Sequence, residues 1–315
     1  MRNAIKYLLF VGAIFVMGNS TAAHAFVVNI DNFQVLRTPR GGGAITNFMN
    51  DTFDTPGPLN EAGLFAASGN QGFYDLTNGV AQSEALGTEH RTLNTSLAPK
   101  QASSVNPGTF IRQTAARLNT NIDPLPVSCR TPTTGTSCGG LKSIREIKVV
   151  GIFDFVVPPF NPLGASFYEI RLFDRIDSNN PGDDELALQV FRSNNSGNTL
   201  VRFRDADRTA GTSVTLGVDA LFGPELAHEQ IMLMIQNSLN DLSVFTASYA
   251  FGDGGVFGNP IPLAGAGTIF NGEDWTRAAF RALETETVPE PGTISMLLFG
   301  LAGLGLMRRR KRAAA

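Results

Sequence analysis

The stretch FYEIRLF, residues 167–173, decides the fold class of this chain. Apolar residues alternate in it with Glu169 and Arg171, so that one side of the segment is apolar and the other is charged. Alternation with a period of two residues is typical of a β-strand that buries one face. The apolar side chains that we expect to face a hydrophobic core are Tyr168, Ile170 and Leu172.

Similar short segments occur along much of the chain, and turn sequences such as SNNSG at residues 193–197 separate them. Short strands with turn signals every ~8–12 residues predict an all-β, antiparallel β-sandwich with long loops, which we place at residues 26–287. Residues 109–118 are predicted to form a short helix, and residues 275–283 a closing strand or a short helix. The predicted strands are 26–36, 147–157, 167–173, 186–190, 201–204, 212–218, 230–236 and 242–251.

The order of these segments resembles a concanavalin A-like or laminin G-like jelly roll over residues 48–283. The resemblance rests on the opening Asp51-Thr52-Phe53-Asp54, on the segment from Tyr74 to Gly79, on Ser166 to Asp174, and on the pair 230–236 and 242–251. It implies a lectin-like domain that binds glycans.

The first 25 residues have the three parts of a secretory signal peptide. Arg2 and Lys6 precede an apolar run from Tyr7 to Met17, and Ala23-His24-Ala25 forms a small-residue cleavage site before Phe26. We therefore expect a signal helix at residues 1–25 that engages the Sec translocon and is then removed.

The C-terminus carries a second distinctive segment, residues 288–312. The sequence VPEPG at 288–292 is followed by an uncharged apolar run, Thr293 to Met307, and by a basic tail that includes Arg308, Arg309 and Arg310. As a helix the run would be about 22 Å long, short of a ~30 Å hydrocarbon core, so it would span a membrane only with snorkelling arginines or local thinning. We predict a transmembrane helix with its basic end in the cytoplasm.

This arrangement resembles the PEP-CTERM sorting signal of exported bacterial proteins. The resemblance implies that an exosortase-type membrane protease recognises Pro289-Glu290-Pro291, cleaves nearby and releases or transfers the protein outward. The protein would cross the inner membrane, be held there transiently, and reach the cell envelope, the outer surface or the medium. Bacteria with such signals usually make exopolysaccharide, which implies a matrix or biofilm role. An ordinary membrane anchor would explain the apolar run and the arginines but not the Pro-Glu-Pro sequence.

The mature segment is acidic once both ends are removed. Seven of the 25 Lys and Arg residues lie in the ends, whereas none of the 28 Asp and Glu residues does, which leaves 18 basic against 28 acidic residues and a net charge of −10. Nucleic acid and anionic lipid both need a cationic surface, so neither is expected as the main partner.

Two small features have several interpretations. Cys129 and Cys138 are the only cysteines and are expected to form a disulfide in an exported chain, since their spacing fits neither a zinc site nor a redox pair.

The acidic turn of residues 174–185 offers oxygen ligands for calcium, yet it departs from the EF-hand pattern. We expect a solvated turn and no cofactor, with calcium as the alternative; its candidate ligands are Asp177, Asn179 and Asp183.

Catalytic patterns are incomplete, so we do not expect an enzyme. His228-Glu229 lacks the second histidine of a zinc-protease helix, because residue 232 is Met. The glucanases related to the jelly roll carry Glu-x-Asp-x-x-Glu on one strand, and the nearest stretch here, Glu169-Ile170-Arg171, has Arg in place of Asp. A polysaccharide-active enzyme with another carboxylate pair and a purely structural surface protein both stay open.

Arginines recur on the predicted strands. We expect them to form solvent-side cross-strand pairs with nearby aspartates, and contact with an acidic polysaccharide is the alternative. The arginines are at 171, 175, 192, 202, 204 and 208, and the aspartates at 174, 177, 205 and 207.

Overall fold

A computed structural model describes eleven ranges of the chain: 26–39, 46–52, 91–95, 101–102, 109–117, 144–160, 164–174, 184–207, 212–237, 244–268 and 276–287. Several predicted features lie outside these residues. They are the signal peptide with Ala23 and Ala25, the cysteines Cys129 and Cys138, the turn with Asp177, Asn179 and Asp183, and the C-terminal segment with Pro289, Glu290, Pro291, Arg308, Arg309 and Arg310.

The described residues form mainly strands, and a short 3₁₀ helix spans Gly223–Ala227. Every strand pair among them is antiparallel. The strands are β1 Val27–Pro39, β2 Thr46–Asp51, β3 Arg91–Asn94, β4 Gln101–Ala102, β5 Thr109–Arg117, β6 Ile144–Asp154, β7 Ser166–Asp174, β8 Asp184–Arg192, β9 Thr199–Asp207, β10 Thr212–Leu221, β11 Gln230–Asn237, β12 Val244–Asp253, β13 Val256–Phe257, β14 Ile261–Pro262, β15 Gly267–Thr268 and β16 Thr276–Thr287.

These strands make two sheets. Sheet I has the order β13-β12-β11-β6-β1-β2, with β14 and β15 also paired to β12 and β3 to β1. Sheet II has the order β10-β9-β8-β7-β16-β5-β4, in which β7 to β10 form a continuous meander and the last strand, β16, lies between β7 and β5. The predicted antiparallel β-sandwich is confirmed.

The hydrophobic core lies between the sheets. Tyr168, Ile170 and Leu172 are fully buried in it, as the alternation of β7 predicts. Aromatic rings join the two layers: Phe33 of β1 lies 5.0 Å from Phe280 of β16, measured between ring centroids. Burying one such large apolar side chain stabilises the fold by about 1.5–3 kcal/mol, so this layer is the main source of stability.

The helix predicted at residues 109–118 is wrong. Residues 109–117 form β5, which pairs with β16 without interruption from Thr109 opposite Thr287 to Arg117 opposite Ala279. A continuous ladder against a central strand outweighs weak local helical preference. The closing segment is a strand, β16, rather than a helix. No helix among the described residues is long and apolar enough to cross a membrane.

One side of the sandwich is closed by the loop that contains β14 and β15. This loop follows β12 in sheet I and lies against β10 of sheet II, where a Cβ placed on Gly217 would come within 2.0 Å of the carbonyl oxygen of Ala264. Nearby, the hydroxyl of Tyr249 in β12 donates a hydrogen bond to Asp219 Oδ2 of β10 at 2.7 Å. The two sheets are therefore fastened to each other along this side.

Candidate functional site

Charged side chains on the outer face of sheet II are buried, although the sequence predicts a solvated face there. Glu169 is 0% exposed and Arg171 is 1% exposed, so β7 is buried on both faces. The predicted solvent-side pairing is therefore wrong for β7. Alternation separates the polar face from the apolar one, but it carries no information on whether the polar face is covered.

A row of four polar side chains crosses sheet II from β16 to β9. Strand register places Arg281 opposite Glu169, Glu169 opposite Gln189, and Gln189 opposite Arg202. Arg281 Nε donates to Glu169 Oε1, and Gln189 Nε2 donates to Glu169 Oε2. Arg202 then donates through Nε and Nη2 to Gln189 Oε1, at 3.1 and 2.6 Å. The amide of Gln189 thus connects a carboxylate on one side to a guanidinium on the other.

A second group lies beside this row. Glu185 of β8 forms an ion pair through Oε2 with Arg171 Nη2, and its Oε1 accepts from Arg204 Nη2 of β9 at 2.9 Å. Arg171 Nε lies 3.2 Å from Glu169 Oε1, which joins the two groups. We call the combined set the arginine network; it comprises Glu169, Arg171, Glu185, Gln189, Arg202, Arg204 and Arg281.

The network keeps Glu169 ionised. Burial by itself raises the pKa of this carboxyl group, but the charges of Arg281, Arg171 and Arg204 and the hydrogen bond from Gln189 outweigh burial and hold the pKa below its usual value. The same environment disfavours the charge on Arg202, because burial lowers the pKa of its guanidinium and repulsion from Arg204 lowers it further.

The two acids of the network are poorly suited to acid–base chemistry. A general acid needs a raised pKa and a path to the substrate. Glu169 has a lowered pKa, is fully buried and accepts hydrogen bonds on both oxygens. Glu185 is 1% exposed and has an arginine on each oxygen. Their contacts link β7, β8, β9 and β16 through buried charge pairs.

A separate polar cluster lies at the turn that follows β12. His228 Nδ1 lies 2.8 Å from Asp253 Oδ2, and the backbone N–H of Glu229 donates to Asp253 Oδ1 at 2.9 Å. The pKa of Asp253 is lowered by this backbone hydrogen bond and by His228. The His228 ring also stacks on Phe251 at 5.0 Å between centroids. These contacts stabilise the exposed turn after β12.

Metal ligands are not gathered in the part of the chain that the structure describes. No group of three or more His, Cys, Asp or Glu residues there is placed to hold an ion. The calcium ligands considered for the turn of residues 174–185 fall outside the described ranges, so that prediction is untested.

The arginines that recur on the predicted strands lie in two different places. Arg171, Arg202 and Arg204 meet in the network, whereas Arg192 stacks over Phe160 at 5.6 Å and donates through Nε to the carbonyl of Gly197 at 2.9 Å. Arg175 and Arg208 lie outside the described residues. Glu185, Gln189 and Arg281 were missed as partners of the arginines, because the aspartates nearest in sequence were considered instead of the residues opposite on neighbouring strands.

Comparison with known proteins identifies the C-terminal segment. Residues 287–312 match the PEP-CTERM protein-sorting motif, and this range includes Pro289-Glu290-Pro291 and Arg308 to Arg310. The match begins at Thr287, the last residue of β16. No curated protein and no solved structure matches the chain. The chain carries the sorting signal of exosortase substrates, which directs it to export, to processing by exosortase and to the cell envelope or surface.

Proposed function

We propose that the exported sandwich is a non-catalytic binding module of the cell surface that contacts a glycan or another envelope component. The observation that carries this proposal is the state of the carboxylates on sheet II. Glu169 and Glu185 lie on neighbouring strands of sheet II, and both are buried and paired with arginines. They hold the sheet together and do not reach a sugar.

The sorting motif supports a role at the cell surface rather than in metabolism. A protein carried outward and processed at the membrane meets envelope polymers first, and a large β-sandwich offers them extended sheet surface and loops. The net charge of −10 on the predicted mature segment, from 18 basic against 28 acidic residues, favours a solvated extracellular protein.

A purely structural surface protein is the second candidate. Sugar-binding sites often stack an aromatic ring on a pyranose, and the exposed aromatic residues among those described are Phe160 and Phe222. Both lie outside the strands, one after β6 and the other after β10. This arrangement is what a surface protein without a specific ligand would have.

Affinity electrophoresis of the full chain, purified in detergent, against the exopolysaccharide of the producing organism separates these functions. Retardation without shortening of the polymer supports the binding module. Retardation only in the presence of calcium would show that binding requires the metal, and retardation in the presence of a chelator would show that it does not. Shortening of the polymer would overturn the non-catalytic assignment. Absence of both retardation and shortening would leave the structural protein.

A further inference from the structure

Arg202 stands at the outer end of the polar row on sheet II. The row runs from the buried strands β16 and β7 to the half-buried Arg202 on β9, and the next residue across the sheet is Val218 of β10, which is 54% exposed. The row therefore leads from the interior of the domain to its surface.

The partners of Arg202 are neutral. Its Nε and Nη2 atoms donate to the amide oxygen of Gln189, and its guanidinium lies 4.2 Å from the centre of the Phe191 ring. Gln189 separates it from the carboxylate of Glu169, which interacts with Arg202 only through space. Among the described residues, Arg202 has no hydrogen-bonded carboxylate.

The orientation of the Arg202 guanidinium is fixed. The pair of bonds to Gln189 Oε1 uses Nε and one hydrogen of Nη2, and the Phe191 ring lies against one face of the group. The hydrogens of Nη1 and the second hydrogen of Nη2 make a planar fork, which is the geometry that binds carboxylate with two parallel bonds. Beside this fork, Val218 offers an exposed apolar contact for the C–H groups of a sugar.

We propose that Arg202, with Gln189 and Phe191 holding it and Val218 beside it, binds the carboxylate groups of an acidic polysaccharide. The inference rests on the proposed function and names the class of glycan. A carboxylate at this position supplies the negative charge that the Gln189 amide cannot supply, and it offsets the repulsion between Arg202 and Arg204.

The overall charge of the protein defines the conditions for a test. The predicted mature segment carries −10, from 18 basic against 28 acidic residues, so a polyanion is repelled at long range. Binding is therefore measured near 0.15 M salt, where the Debye length is about 8 Å and distant charges are screened.

The test compares the full chain, purified in detergent, with three variants by affinity electrophoresis in polygalacturonate, neutral dextran and dextran sulfate. We expect polygalacturonate to retard the wild type. Arg202→Gln should weaken that binding about tenfold or more, since a charged hydrogen-bonded contact is lost. Arg192→Gln is the matched control, because it removes the same charge at a residue that pairs with Phe160 and Gly197. It should change binding less than about twofold, because its side chain is held by Phe160 and Gly197 rather than by Gln189, and single surface charges contribute little.

Arg202→Lys keeps the charge and replaces Arg202→Gln in the comparison if the latter does not fold. The thermal unfolding midpoint of each variant shows whether it is folded. An ammonium group cannot form the fork, so binding should fall about threefold or more. Equal losses in Arg202→Gln and Arg192→Gln, wild-type affinity in Arg202→Lys, or retardation by dextran sulfate without retardation by polygalacturonate would overturn the assignment. If the organism's own exopolysaccharide retards wild type and Arg202→Gln equally, the carboxylate site fails while the proposed function stands.

Discussion

Replacing Glu169 by Gln removes one negative charge from the centre of the arginine network without changing the size of the side chain. Glu169 accepts from Arg281 and Gln189 and lies 3.2 Å from Arg171 Nε. An amide at this position would direct its NH₂ group at the NH₂ group of Gln189. A flip of Gln189 to avoid that contact would take its oxygen away from Arg202.

The expected loss is large because charges buried in the folded protein would lose their partner. Removing one member of a buried ion pair costs about 3–5 kcal/mol. For a domain of this size each kcal/mol lowers the melting temperature by about 2–4 °C, so Glu169→Gln should lower it by roughly 6–20 °C at pH 7. Glu229→Gln makes the same chemical change at an exposed residue that accepts from Gly254 N, and it should cost about 1 kcal/mol or less.

The stability that Glu169 contributes should depend on pH, in a direction set by its lowered pKa. Because the folded-state pKa of Glu169 is lowered, its stabilising contribution is complete above the unfolded-state pKa of about 4.3 and is lost as pH falls through the folded-state pKa. The difference between wild type and Glu169→Gln, measured by thermal unfolding from pH 7 to pH 3, should therefore narrow in acid. The reasoning would be refuted if Glu169→Gln melted within about 2 °C of the wild type at pH 7, since such a shift is worth no more than ~1 kcal/mol. It would also be refuted if the difference in melting temperature between the two proteins widened as pH falls.

Three further predictions concern packing and sorting. Gly217→Ala should lower the free energy of unfolding by about 1–3 kcal/mol, because the new Cβ meets the carbonyl oxygen of Ala264. In the control Gly258→Ala the new Cβ would lie 3.7 Å from the nearest atom, so the melting temperature should be nearly unchanged. Equal shifts in melting temperature for the two variants would contradict the close approach at Gly217. Tyr249→Phe should lower the free energy of unfolding, measured by urea denaturation, by about 1–2 kcal/mol, because the hydrogen bond to Asp219 is lost. Wild-type stability of this variant would show that the hydrogen bond does not hold the two sheets together. Deleting residues 289–312, within the sorting motif, should cause premature release or mislocalisation in cell fractionation, and unchanged membrane retention would contradict the sorting role.

Hydrophobic alternation is sufficient to predict the layer between the sheets. In β7, Tyr168, Ile170 and Leu172 alternate with charged residues, and all three are buried as predicted. This prediction needs only the period of a strand, because any second layer that covers the apolar face buries the same side chains.

Strand pairing is what the sequence does not supply. Residues 109–117 become β5 because β16 lies beside them, although Thr109 pairs with Thr287, which is 178 positions further along the chain.

 The ladder with β16 decides the conformation of β5, and the sequence around residue 109 contains no information on that partner.

The candidate site shows the same limit. Glu169, Gln189 and Arg202 lie on three different strands and meet only because the registers of β7, β8 and β9 place them in one row. His228 and Asp253 are 25 residues apart in the sequence and meet for the same reason, since the pairing of Gln230 with Gly252 brings them together. Assuming that residues 230–236 and 242–251 pair as a hairpin would have revealed this contact from the sequence.

The position of β16 has a mechanical consequence for a protein held by its C-terminus. β16 is hydrogen-bonded to β5 on one side and to β7 on the other, and the sorting motif begins at its last residue, Thr287. A pull from the membrane enters the domain along the axis of this strand. Hydrogen bonds between antiparallel strands lie across that axis, so both ladders are loaded in shear and their bonds share the force rather than opening one after another. The strand that ends at the tether is therefore one that resists extraction under load.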